Sequence, residues 1–207
     1  NLFLVPLDST GTWFRYHALF TEFLRRAQSA PPEQTSKLYH EASLWFEQNN
    51  LLDEAIHYAT HAADHERTAA LLETHYLDMI QRGEHSAVLE GLGTLPPEMM
   101  ESRPRLWLAK GWGSIITLDA PEAVACAEKA EALILPDRRS DHLRGEAKAL
   151  RILTQIFAGK IVPMEEISSA FSLLAEEDDF LHSMLHFNLS IHYVMLGDTA
   201  KALESFA

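Results

Sequence analysis

Cysteine is nearly missing from this chain: one residue, Cys126, in 207. That rules out an intrachain disulfide and suits a reducing compartment. Its setting, Ala123-Val-Ala-Cys-Ala-Glu128, marks a small buried hydrophobe rather than a reactive thiol. Basic residues are also scarce, 17 Lys and Arg against 30 Asp and Glu, for a formal net charge of -13. Nucleic-acid binding rests largely on neutralising phosphates, and the local basic pairs here are Arg25-Arg26 and Arg138-Arg139. These residues are therefore not expected to contact DNA. No apolar run approaches the length of a membrane span and no signal-peptide pattern is present, so a cytoplasmic location is expected. The sequence lacks a nucleophile elbow, a phosphate-binding Gly-rich loop and a paired-Cys metal site. Gly91-Leu-Gly93 and Gly111-Trp-Gly113 follow no strand and so have no phosphate to cradle. No enzymatic activity, catalytic residue, metal or resident cofactor is expected.

Beyond the first few residues, apolar side chains recur at three- and four-residue intervals and nothing alternates with period two. Gly and Pro fall between the helical stretches: Pro31-Pro32, Gly83, Gly93 with Pro96-Pro97, Pro104, Pro121, Pro136, Gly159 with Pro163, and Gly197. The expected fold class is all-α, built from helix pairs, with a short extended segment at the N-terminus.

The pairs repeat. Ser190, Tyr193 and Gly197, followed by Ala202 and Phe206, fit a tetratricopeptide hairpin. There a small residue admits a neighbouring helix, an aromatic fills the groove and Gly ends the first helix. Ser43, Phe46, Asn50, Ala55 and Ala62 repeat the spacing, as do Gly111, Ser114, Ala123 and Ala130. Gly83 places a further unit around Tyr76, and Gly159 another around Ile152. The five centres lie 33, 35, about 41 and about 38 residues apart, near the roughly 34 of a tetratricopeptide unit. A single hairpin cannot bury its apolar face, so the units must stack, and a right-handed superhelix over 33–207 is expected. The missing polar capping helix leads to the expectation that the solenoid is cut short at its C-terminal side.

First helices of such units line the inner face. Its candidate ligand-binding residues are Arg105, Leu108, Trp112 and Ile115 in the central unit, and Phe187 and Ile191, beside Met184, in the last. His40, Leu44 and Glu47 take the same positions in the first unit. Arg105 offers a forked donor. Trp112 offers a flat stacking surface or, alternatively, core packing; Trp107 is read as packing between helices. His57, His61 and His65 lie four apart and would share a helix face, but a metal site needs further ligands, and the row reads as a solvated face. His182 and His186 repeat the spacing among apolar neighbours.

The opening residues carry a resemblance. Asn1-Leu-Phe-Leu-Val-Pro-Leu-Asp8 reads as a short strand and turn. After it, Thr12 is a plausible N-cap to a helix whose apolar face is Trp13, Tyr16, Leu19, Phe20, Phe23 and Leu24. A strand with no partner is not a stable element, so residues 1–28 are read as a junction to something upstream. Together with Trp13-Phe-Arg-Tyr-His17, Leu19, Phe20, Leu24 and Arg25, the segment resembles one boundary in MalT-type ATP-dependent LuxR-family transcription regulators. There it joins the winged-helix end of a nucleotide-binding module to a superhelical repeat domain. The resemblance implies a small-molecule inducer bound by the superhelix, ATP bound by a separate domain, self-association, DNA contact through a separate helix-turn-helix, and an inhibitory protein partner as a further possibility. The alternative is a stand-alone tetratricopeptide scaffold for a peptide, for which Lys37 and Arg105 supply few inward cations.

Overall fold

The computed structural model describes residues 3–12, 14–27, 31–176 and 178–205, the side chains of 25–27 and 32 excepted. Asn1, Leu2, Trp13, Phe206 and the Arg25 and Arg26 side chains, all part of the sequence patterns above, lie outside the described residues. The chain divides into two compact units, Asn1–Leu38 and Tyr39–Ala207.

In the first unit the opening strand has a partner. β1 (Leu4–Pro6) pairs antiparallel with β2 (Phe14–Tyr16), Val5 facing Arg15. The connection is held by Asp8, whose carboxylate accepts the Thr12 N–H at 3.0 Å and the Thr10 hydroxyl at 2.6 Å, while Gly11 supplies a left-handed residue at φ 68°. Thr12 is thus a turn residue and not a helix cap. Helix α1 (Ala18–Ala27) starts only after His17, whose carbonyl accepts the Phe20 and Thr21 N–H groups. The single long helix expected from Thr12 is overturned because its first turn is spent on the hairpin. Phe20 joins Phe3 and Phe23 at ring-centroid distances of 4.5 and 6.3 Å. Tyr16, Leu19 and Phe23 are exposed, so the expected buried face is not formed within this unit.

Among the described residues that follow, the elements are helices: α2 (Pro32–Gln48), α3 (Leu52–His61), α4 (His65–Gln81), α5 (His85–Gly93), α6 (Pro97–Met100), α7 (Pro104–Ile116), α8 (Ala120–Leu133), α9 (Asp141–Phe157), α10 (Met164–Phe171), α11 (Asp179–Met195) and α12 (Thr199–Glu204). They form five hairpins, α2/α3, α4/α5, α7/α8, α9/α10 and α11/α12, as the spacing predicts. The prolines open helices: Pro97, Pro104 and Pro121 stand in first turns, where the missing N–H costs nothing. Asp64, Asp119 and Asp198 cap α4, α8 and α12 through the N–H groups of Arg67, Glu122 and Lys201. Two elements carry no periodic signal: α6, inserted between the second and third hairpins, and a 3-10 turn at Arg138–Ser140 that lengthens the fourth unit.

First helices α4, α7, α9 and α11 pack on one another in succession, and each packs on its own second helix. One core runs from Leu52 to Leu153 and takes in Leu181; a second gathers Ile152, Ile156, Ile167 and Leu185. The joint is tightest at Gly111, where a Cβ would stand 2.5 Å from Leu150 Cδ2 and 3.2 Å from Cys126 Cβ. Cys126 itself is fully buried, and burial, followed by the nearby Glu122 charge, pushes its thiol up to about 12.

The same stop recurs in every hairpin. Seven residues after each repeat centre the backbone turns left-handed: Asn50 (φ 56°), Gly83 (80°), Leu118 (62°), Gly159 (73°) and Gly197 (78°). The following N–H then returns to the carbonyl five residues earlier at 2.8–3.0 Å, closing the helix end. Leu118 is the misfit, since a branched side chain in this conformation is strained and its 86% exposure offers no packing in return. Leu118→Gly should therefore stabilise the chain by about 1 kcal/mol, raising its thermal midpoint by roughly 2–4 °C in a circular-dichroism melt. Gly197→Leu should lower it, and equal midpoints for all three proteins would show that the position carries no strain.

Candidate functional site

The inner-face residues separate into two groups. Leu108 is fully buried, Trp112 is 2% exposed and Ile115 is buried, so these three belong to the core and offer no open lining. For Trp112 the core alternative holds: its ring packs edge-on against Phe180 at 5.7 Å. Phe187 and Met184 are half-buried against the larger core, and Ile191 against the smaller one. Arg105 alone of the central group is exposed, and its guanidinium donates to the Glu73 carbonyl at 3.3 Å. In the first hairpin, His40 pairs with Asp64 at 2.8 Å and Glu47 with Arg67 at 2.8 Å, while Leu44 is exposed. Arg67 also donates Nε to Ser43 Oγ at 2.8 Å, which ties α4 back to the hairpin before it.

Beneath Trp112 lies a group that periodicity did not mark. Glu146 on α9 is 1% exposed, and its Oε1 accepts both the Trp112 indole N–H, at 2.9 Å, and the Tyr76 hydroxyl. Tyr76, Trp112 and Glu146 come from the first helices of three successive hairpins. Burial pushes the Glu146 carboxyl up, against the two hydrogen bonds and the charges of His142 and Arg105, which pull it down. Burial and then the Glu146 charge hold the Tyr76 hydroxyl well above its ordinary range. Sealed on all sides, this network can order three repeats but cannot receive a ligand from solvent.

The His row does not survive as one face: α3 ends at His61, and His65 begins α4. His57 and His61 have ring centroids 4.1 Å apart and share a cavity of about 160 Å³ with Asp53 and Glu90. Among the described residues no three His, Cys, Asp or Glu side chains are grouped so as to hold a metal ion. His182 and His186 pack against Phe171 at 5.6 and 5.0 Å.

An open groove lies elsewhere, against the third hairpin. A groove of about 640 Å³ is lined by Leu95, Pro97, Met100, Trp107 and Leu133, with Ala132, Glu101, Lys110 and Lys129 completing it. Its wall is the inserted α6: the Trp107 indole N–H donates to the Met100 carbonyl at 2.9 Å, which fixes the ring against that short helix. Lys129 of α8 places its ammonium 4.1 Å from the ring centroid, and Lys110, one turn beyond Trp107 on α7, places its own at 5.7 Å. Lys110 also pairs with Glu122, which raises the pKa of the lysine and lowers that of the carboxyl. Such a volume is in the usual range for small-molecule sites. Trp107 packs on one edge, against Met100, as its sequence position predicts, while its face lines the groove. The available signal was Trp107 three residues before Lys110, next to the doubled proline starts at 97 and 104.

Residues 1–36 match the family model described as the MalT winged helix domain. The chain is 30% identical over 172 residues to the serine/threonine-protein kinase PknK of Mycobacterium tuberculosis strain H37Rv, covering 81% of this chain and 16% of that protein. It is 31% identical over 113 residues to the HTH-type transcriptional regulator MalT of Vibrio parahaemolyticus, covering 54% of this chain and 12% of the regulator. The chain thus spans less than a fifth of the length of these curated relatives. No helix among the described residues is long and apolar enough to cross a membrane.

The Glu146 network has a pH signature. A carboxyl raised on folding contributes stability that is fully present below its ordinary value of 4.5 and is lost as pH rises through the raised value. Glu146→Gln keeps an oxygen for both donors and does not titrate. Its stability relative to the parent should therefore rise as pH is raised above 4.5 in urea titrations. Glu146→Leu strands two buried donors and should cost about 2–5 kcal/mol near pH 5, with the cost shrinking as pH rises. A parallel pair of pH profiles for the parent and the Gln variant would contradict the assignment.

Proposed function

We propose that this chain, which is of MalT type, is the effector-reading segment of a transcription regulator. Its helical repeats hold a small-molecule inducer in the groove beside Trp107. One observation carries the reading: the region is shared by a relative named a kinase and one named a transcriptional regulator. What two proteins of different output have in common is better suited to sensing than to either output. The groove supplies the place, being open, mostly apolar and sized for a metabolite.

In this reading the segment performs no catalysis. ATP binding and helix-turn-helix contact with DNA belong to other parts of the regulator, consistent with a net charge of -13 here. The inducer acts by binding the active arrangement better than the resting one, and that difference favours self-association and DNA binding. An inhibitory protein would act by stabilising the resting arrangement. The regulator works in the cytoplasm, where its gene targets are.

Filling the groove tests this. Ala132 is exposed and lines it, so Ala132→Trp should occupy the space with little strain on the core. In the full-length regulator the variant should keep its expression and melting temperature yet need at least about tenfold more inducer for half-maximal reporter output. An unchanged dose response with unchanged expression would place the effector site elsewhere.

A further inference from the structure

We infer that the groove beside Trp107 takes a monoanionic amphiphile: a small carboxylate whose apolar body, aliphatic or aromatic, lies along Leu95, Met100 and Leu133 while its head meets Lys129 and Lys110. The ligand class rests on the groove being the effector site proposed above.

Three features of the lining select it. Two ammonium groups face one aromatic ring, at 4.1 and 5.7 Å, in a chain where acids outnumber bases 30 to 17. Two ammonium groups converging beside an apolar groove make a local positive patch suited to an anionic head. Lys110 is already engaged by Glu122, whereas among the described residues Lys129 makes no ion pair: it rests on the π-face of Trp107 and feels the Glu122 charge only at longer range. A cation–π contact at an exposed site is weak, about 0.5–1 kcal/mol. A carboxylate can therefore draw the Lys129 ammonium away from the ring, which uncovers the Trp107 face for the ligand's apolar body. Beyond the charges, the walls are Leu, Met, Pro and Trp, which favours an apolar body over a polyol.

Two further features limit the class. Glu101 lines the same groove, so a dianion or a second carboxylate would meet repulsion. The volume of about 640 Å³ suits a ligand of small-molecule size, and α6, only four residues long, leaves no extended trough for a partner helix.

Calorimetric titration of the 207-residue chain with octanoate, and with neutral octanamide of the same length, tests the inference. Octanoate should bind about tenfold tighter, and the ratio should shrink as salt is raised. Lys129→Met keeps the stem and removes the charge, so it should bring the two affinities together. Ala132→Trp should weaken both ligands. Equal affinities in the parent chain, or a ratio unchanged in Lys129→Met, would overturn the anionic head while leaving the groove as an effector site for a neutral ligand. Loss of neither ligand in Ala132→Trp, or no binding of either up to about 10 mM, would overturn the site for this class. The reporter response of the same groove-filling variant then decides separately whether the groove reads an inducer at all.

Discussion

A helix hairpin in this chain has apolar residues on more than one side, and water leaves it no way to hide them except against another hairpin. That constraint explains the stacking of α4, α7, α9 and α11, the continuous core from Leu52 to Leu153, and the close approach at Gly111, where an added Cβ would press on Leu150 and Cys126. It also explains why the helix stops recur in register. If one first helix ran on by a turn, its second helix would return at the wrong angle and the next unit would lose its seat. The left-handed residue at 50, 83, 118, 159 and 197 sets that angle each time. At Leu118 the chain accepts the backbone strain, which shows how firmly the register is imposed.

Within this stack the Glu146 carboxylate has a different part. Apolar burial is non-directional and would tolerate small rotations of one hairpin on the next. Two donors from two other repeats meeting on one buried oxygen do not tolerate them. The cost is a carboxyl held above its usual range; the gain is a fixed relation among the second, third and fourth hairpins. Under the function proposed above, a segment that reports ligand occupancy would need such a fixed relation beside an open place. The groove at Trp107 lies in that same third hairpin, walled by the inserted α6 rather than by the regular repeat.

Much of the fold was legible because it depends on local rules. Gly83, Gly159 and Gly197 end helices since only glycine takes the left-handed turn without strain, and Pro97, Pro104 and Pro121 begin them for lack of an N–H. Ser43, Gly111 and Ser190 were readable as close-approach points because they are small at the repeat spacing. The candidate site was far less legible. Leu108, Trp112 and Ile115 share a face with Arg105 in a periodic sense, yet their burial depends on how α9 and Phe180 close over them. Trp107 and Lys129 come from different helices, and nothing local ties one to the other.

The sequence by itself determined the all-α class, the number and phase of the hairpins, the buried state of Cys126 and the kinship of the opening segment, since each follows from residue type at a fixed spacing. Only the tertiary structure decided that the strand at Leu4–Pro6 has a partner in Phe14–Tyr16, because Asp8 ties the intervening turn by a contact no periodicity records. It likewise decided that Trp112 is sealed over Glu146 while Trp107 stands at an open groove. A helical period tells which residues share a face. Which faces meet, and what is left uncovered between them, is settled by the packing of helices far apart in the chain.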